Sequence, residues 1–157
     1  MKTDDATFFV YPTPLGRVSI ASDGSAIIRV AFGAQQLEGS YRASTLTNEV
    51  ANQLQEYLAG KRSSFDVPLA PRGSAFQLKV WDALSTIPYG QTRTYREVAA
   101  MVGNPSALRA VGGANNKNPL PLLLPCHRVI GAHGDPVGYV ADLKIKRFLL
   151  ELEAHHT

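Results

Sequence analysis

Seven residues, Pro119-Leu-Pro-Leu-Leu-Leu-Pro125, exclude more structures than any other stretch of the chain. Three prolines forbid a regular helix and remove donors that a central strand needs, while four leucines demand burial. The segment reads as buried, extended and rigid. It ends at Cys126, the only cysteine, followed at once by His127 and Arg128. A thiol with its free pKa of roughly 8.5 becomes a good nucleophile when a base or a positive charge favours the thiolate, and these two neighbours are the residue types that do so. Successive side chains of an extended segment point to opposite sides, so a bridging water is the expected link between His127 and the sulfur. A lone cysteine after a leucine run reads equally as an inert small hydrophobe in a core.

With one cysteine no internal disulfide can form, which suits a reducing compartment and the cytoplasm. The start Met-Lys-Thr-Asp-Asp-Ala lacks the pattern of a leader, and no apolar stretch approaches bilayer length. Four histidines and one cysteine offer no zinc-ligand spacing. Charge is unevenly shared: residues 1–69 carry six Lys/Arg against seven Asp/Glu, a net of −1, whereas residues 70–157 carry ten against six, a net of +4. Arg93, Arg96, Arg109, Lys117 and Arg128 face the single acid Glu97 between Ala83 and Gly134. That window suits a polyanion such as nucleic acid, or a solvated basic face.

Phe8 to Tyr11, Arg17 to Ala21 and Ala26 to Phe32 are β-branched or aromatic segments separated by turn residues, which predicts an antiparallel meander of three strands. Leu46, Val50, Leu54 and Leu58 recur every four residues, one stripe of a helix that ends at Gly60 and packs on that sheet. Phe65 to Gly73 reads as an extended connection, which divides the chain into domains 1–70 and 71–157. Beyond it Ser74-Ala-Phe-Gln77 and Thr94-Tyr-Arg-Glu97 are capping boxes, each opening a helix. Asn104-Pro105 looks like a third start, with a capping Asn and Pro at the first helical position, so two helices joined through Gly103 make a helix-turn-helix. The second of them carries Ala107, Ala110, Gly112, Gly113 and Ala114, with Arg109 as its one long cation. Such small residues permit close approach, either of the protein's own core or of a nucleic-acid groove read by backbone and shape. In the last helix Ile145, Phe148, Leu149 and Leu152 form the expected apolar face, Asp142 stands at its N-cap, and Glu153 near its end opposes the helix dipole, either solvated or orienting His127.

Taken together the chain resembles the O6-alkylguanine-DNA alkyltransferase family. The resemblance rests on Pro125-Cys126-His127-Arg128-Val129, with Tyr57-Leu-Ala-Gly-Lys-Arg62, Phe76-Gln-Leu-Lys-Val-Trp81, Ile87-Pro-Tyr-Gly90, Arg109-Ala-Val-Gly-Gly113, Asn118-Pro119, Leu149-Leu150 and Glu153 in family order. It implies an α/β (α+β) fold: a small ribonuclease-H-like domain with a three-stranded antiparallel sheet and a helix, then a mainly helical winged helix-turn-helix domain carrying the cysteine. It also implies irreversible transfer of the alkyl group from O6-alkylguanine, and O4-alkylthymine, in duplex DNA to Cys126, one event per molecule and without a cofactor. Glu153, His127 and a water would take the thiol proton, Asn118 would fix the bend before the active segment, and Tyr95 would return a proton to the departing base. Thr94, Tyr95, Ala107, Arg109, Ala110, Gly112, Gly113 and Arg128 would meet DNA from the minor groove, with Arg109 filling the gap left by a flipped nucleotide. Pro121, Tyr139, Val140, Ala141 and Asp142 would line the alkylguanine pocket. The implied state is a monomer in solution that can assemble cooperatively on DNA, with no membrane partner. Val140-Ala141-Asp142 departs from the family's small residue and two glycines, so poorer acceptance of bulky adducts is expected. A lesion binder that does not transfer, and a thiol hydrolase unconnected with DNA, are the alternatives.

Overall fold

The computed structural model describes residues 5–157, so most of the start on which the absence of a leader was read lies outside the described residues. The chain divides after Arg72 into two compact units. None of the described helices is long and apolar enough to cross a membrane.

In the first unit β1 (Thr7–Thr13), β2 (Gly16–Ser22) and β3 (Ile27–Phe32) form the expected antiparallel meander. The sheet has four strands rather than three, in the order β3-β2-β1-β4, because β4 (Ser40–Tyr41) adds to the free edge of β1 in parallel. Two residues carry no periodicity, which is why the pattern missed them; what admits the strand is Gly39. Its φ is +98° and a Cβ there would collide with the Ala6 carbonyl. The opposite edge is covered too, as Ile27 N donates to Pro68 O at 2.8 Å and Ala70 N to Ile27 O at 2.9 Å. Residues 18–22 of β2 are buried without interruption, so this central strand is covered on both faces. One cover is α1 (Thr45–Leu58), which packs on β1 and β2 and is opened by a capping box of Ser44 with Thr47. Phe8, Ala21 and Ile28 gather with Leu37 and Ala70 in a separate cluster.

The second unit is built on helices. Both capping boxes form, Ser74 with Gln77 at α2 (Ala75–Leu84) and Thr94 with Glu97 at α3 (Tyr95–Met101). The helix expected from Pro105 starts later: α4 spans Leu108–Asn116, with Ala107 at its N-cap. Asn104 does not cap it. Ala107 N bonds Asn104 O at 3.0 Å and Ser106 Oγ donates to Asn104 Oδ1 at 3.2 Å, closing a separate turn, and Ala107 at ψ 43° is outside helical geometry. Two-residue strands β5 (Arg93–Thr94) and β6 (Val129–Ile130) pair in parallel and so set the start of α3 beside the chain that follows Cys126. The last helix, α5, spans Leu143–His155, with Asp142 as its N-cap through Lys144 N at 2.8 Å.

Trp81 ties this unit together. It is 2% exposed, and its indole N–H donates to Ala114 O at 2.9 Å, linking α2 to α4. Trp81→Phe keeps most of the apolar bulk but removes the indole bond and leaves Ala114 O with the Lys117 N–H at 3.1 Å alone, so a loss of about 1 kcal/mol in urea denaturation is expected. An unchanged midpoint would contradict the role given to the indole N–H.

Candidate active site around Cys126

The proline-leucine segment is buried, but it is not extended. Residues 119–125 coil into a compact loop in which Leu124 N bonds Leu120 O at 2.8 Å and Leu122 sits at φ +76°, a left-handed conformation that leucine rarely adopts. Strain of this kind costs about 1 to 3 kcal/mol and persists only where the surroundings impose it. Asn118 imposes it: Oδ1 accepts from Leu120 N at 2.9 Å and Nδ2 donates to Leu124 O at 2.8 Å, so one buried amide holds both arms of the loop.

Cys126 then opens a 3-10 turn, Cys126–Arg128, and is fully buried. Burial pushes its thiol up to about 11, against smaller downward pulls from the Asn118 side chain and the Lys146 ammonium. At rest the sulfur is a neutral thiol.

Glu153 is the centre of the polar network beside it. The carboxylate is 1% exposed and accepts from Gly90 N at 3.1 Å, from Arg128 Nε at 2.8 Å and Nη2 at 2.9 Å, and meets His127 Nε2 at 2.7 Å. These bonds are what justifies an acid in the last turns of α5, and they select the orienting role over the solvated one. Desolvation first, then the nearby Arg128 and Lys146 charges, lower the pKa of His127 against the upward pull of Glu153, so the imidazole is neutral. Paired with a guanidinium, Glu153 is an acceptor, so His127 Nε2 carries the hydrogen and Nδ1 the lone pair.

Arg128, expected on the DNA side, is instead 8% exposed and fully engaged internally, with Nη1 on Ile87 O at 2.6 Å. It neutralises Glu153 and presents no charge to a phosphate.

Two polar residues of this site escaped the sequence reading. Lys146 is completely buried, its ammonium donating to Val129 O at 2.6 Å, Val137 O at 3.0 Å and Gly138 O at 2.8 Å. Burial lowers its pKa to about 8. The signal was available: Lys146 lies three residues before Leu149 and seven before Glu153, and these three form the buried stripe of α5, whereas Phe148, expected on the apolar face, is 40% exposed. Asn115 is 1% exposed on the inner face of α4, four residues after Val111, and its Nδ2 donates to Cys126 O at 3.4 Å. Tyr95 completes this shell, its hydroxyl donating to Val137 O at 2.8 Å.

Outside the buried network, Arg109, Ala110 and Gly113 are exposed on α4, and Ala107 and Gly112 are half-buried. A Cβ at Gly112 or Gly113 would meet nothing within 4 Å, so internal packing does not require either glycine. Beside them is a cavity of about 500 Å³, lined by Thr94, Tyr95, Arg109, Gly112, Val137 and Gly138 among others. None of the five expected pocket residues lines it: Pro121 is buried in the loop, Tyr139, Val140 and Ala141 are half-buried, and the Asp142 carboxylate is engaged as the cap of α5.

A single buried cysteine next in the chain to a His-Glu-Arg network, behind a side-chain-poor helix-turn-helix, defines the class as a thiol protein. Residues 75–155 match the DNA-binding domain of 6-O-methylguanine DNA methyltransferase, and residues 8–71 match the ribonuclease-like domain of the same family. The methylated-DNA–protein-cysteine methyltransferase of Methanosarcina acetivorans is 46% identical over 151 residues, 93% of this chain and 97% of that one. The constitutive methylated-DNA–protein-cysteine methyltransferase of Bacillus subtilis is 43% identical over 150 residues, 90% and 91% of the two chains. The crystal structure of Mycobacterium tuberculosis OGT in complex with DNA is similar at a TM-score of 0.89 and 40% identity, over 96% of this chain and 94% of that one. The chain belongs to the 6-O-methylguanine DNA methyltransferase family.

A thiol raised from 9.0 to about 11 has roughly 100-fold less thiolate near neutrality than an ordinary cysteine. Iodoacetamide at about pH 8 is therefore expected to label Cys126 at least roughly 100-fold more slowly in the native protein than in the urea-unfolded chain, followed by intact mass. Equal rates would show that the resting thiol is neither protonated nor shielded.

Proposed function

We propose that this protein is a methylated-DNA–protein-cysteine methyltransferase that repairs duplex DNA by moving the alkyl group of O6-alkylguanine, and of O4-alkylthymine, irreversibly onto Cys126. The observation that carries this reading is one buried thiol followed in the chain by a neutral imidazole whose Nε2 is fixed on Glu153.

In this scheme the thiol proton leaves Sγ through a water to His127 Nδ1, and Glu153 with Arg128 stabilises the resulting imidazolium. The new thiolate attacks the alkyl carbon as the bond from carbon to O6 breaks, and the guanine departs with the bonding pair and takes the Tyr95 proton. The imidazolium proton then returns to the tyrosinate, so the thiol hydrogen has moved in net to the base. A thioether has no easy leaving group, so each molecule acts once. Burial of Cys126 requires that the nucleotide be turned out of the stack to reach it, at a cost of a few kcal/mol that alkylation reduces.

Arg109 is the residue assigned to the vacated place in the duplex. The side-chain-free stretch at Gly112 and Gly113 supports an approach of α4 to the minor groove by backbone and shape, together with Thr94, Tyr95, Ala107 and Ala110. Residues 73–157 would carry this chemistry and the first unit would serve as scaffold. The protein would act in the cytoplasm, as a monomer that can assemble cooperatively on DNA.

The direct test is intact-mass measurement after incubation with a duplex containing one O6-methylguanine. One methyl is expected on the peptide holding Cys126, and none in Cys126→Ser. A duplex that is held tightly while the mass stays unchanged would leave only a lesion binder. Arg109→Ala is expected to slow transfer from the duplex by about tenfold or more and from the single strand far less, because only the duplex has a gap to fill.

Adduct size is the remaining expectation from the departure at residues 140–142. The Asp142 carboxylate is engaged as a cap and Val140 does not line the cavity beside α4, so the expectation rests on the sequence departure itself. Transfer of benzyl is expected to lag methyl, and equal single-turnover rates for the two adducts would remove the idea.

A further inference from the structure

Leu108 is the first residue of α4 and is 37% exposed, a large apolar side chain left in water beside Arg109. The buried residues of this helix are Val111, Ala114 and Asn115, so the core does not claim it. Leu108 instead lines the cavity beside α4, together with Tyr95, Arg109 and Gly112. A single exposed leucine is ordinary on a protein surface. What sets this one apart is how little projects from the helix around it.

Beyond Leu108 and Arg109 the outward positions of α4 are Ala110, Gly112 and Gly113, and the next outward side chain longer than a methyl is Asn116. Gly112 stands four residues after Leu108, on the same side of the helix and about 6 Å further along its axis. A Cβ at Gly112 would meet nothing within 4 Å. A duplex seated against bare backbone there lies nearer the helix axis than the tip of a leucine one turn earlier. Leu108 therefore cannot rest on the rim of the groove and must enter it. Arg96 and Arg109, both exposed on the same cavity, supply the charge that brings a polyanion to this wall.

A nucleotide that turns out of the stack uncovers the flat apolar faces of the base pairs beside it. Arg109 is one planar cation in the vacated place, and water would cover whatever it leaves. Excluding water from apolar surface is what a leucine does, and leucine is among the side chains that wedge between base steps from the minor groove.

On the repair reading above, we infer that Leu108 is an apolar wedge that enters the minor groove beside Arg109 and covers the base-pair face uncovered when the alkylated nucleotide turns out. Arg109 holds the vacated place, and Leu108 desolvates the neighbouring step. Leu108 touches no reacting atom, so it is a positioning residue for the flipped state. The two contributions differ in kind: a cation near phosphates releases counterions and weakens with salt, whereas a leucine releases none.

The test compares native protein, Leu108→Ala and Leu108→Met by the second-order rate of methyl transfer from O6-methylguanine, in a duplex and in the single strand of the same sequence. Leu108→Ala is expected to lower the duplex rate relative to the single-strand rate by roughly tenfold, the scale of one leucine moved out of water. Leu108→Met keeps the apolar bulk and is expected to restore most of the native ratio. Since both rates come from the same variant, a general loss of folded protein cancels. Between about 50 and 200 mM salt the duplex penalty of Leu108→Ala is expected to stay constant, whereas the penalty of a lost phosphate contact shrinks as salt rises. An unchanged ratio in Leu108→Ala, no rescue by methionine, or a penalty that fades with salt would each overturn the wedge while leaving the repair function intact. No methyl transfer from either form of DNA to the native protein would instead overturn the proposed function together with the inference that rests on it.

Discussion

Glu153 is the interaction on which the second unit depends. One carboxylate, buried to 1% exposure, binds the backbone at Gly90, the imidazole of His127 and the guanidinium of Arg128. It thereby joins the turn after α2, the 3-10 turn of the reactive cysteine and the last helix. An isolated carboxylate could not stay ionised there; Arg128 makes it tolerable, and the Arg128 bond to Ile87 O extends the network. Removal of either partner leaves the other buried and charged, which is why the two stand or fall together.

Around that centre burial keeps the thiol protonated. Burial, the largest influence on Cys126, holds the proton on, and Asn118 and Lys146 supply only partial relief. His127 is neutral for the same reason, so a base is present but uncharged. Neither group is activated by itself. Lys146 has the complementary task of bracing three carbonyls at Val129, Val137 and Gly138, so that the chain running from β6 toward α5 is held against Tyr95.

The local devices of the fold were legible in the residues. Both capping boxes of the second unit form where Ser74 and Thr94 announce them, and the meander follows its three β-rich segments. Failures came where local chemistry had two uses. Asn104 and Pro105 are as good in a turn as at a helix start, and Ser106 decided for the turn by bonding Asn104. The prolines of the leucine loop forbid helix and sheet alike, which by itself predicts an extended segment, yet a 2.8 Å bond from Leu124 N to Leu120 O coils it. Arg128 has the look of a DNA-facing cation until its carboxylate partner, 25 residues away, is placed beside it.

What the sequence by itself determined is the set of elements and the identity of the reactive segment. Caps, turn residues and apolar periodicity act over a few residues, and the ordered set of motifs around Pro125 to Val129 is specific enough to name its family. Only the tertiary structure decided which polar groups are buried together. Lys146 looks solvated on a charged helix, Glu153 is open to two readings, and Asn115 looks like one amide among several, until packing removes water from all three. Burial is a property of the assembled unit and not of the neighbours along the chain, and burial sets the protonation of Cys126, His127 and Lys146.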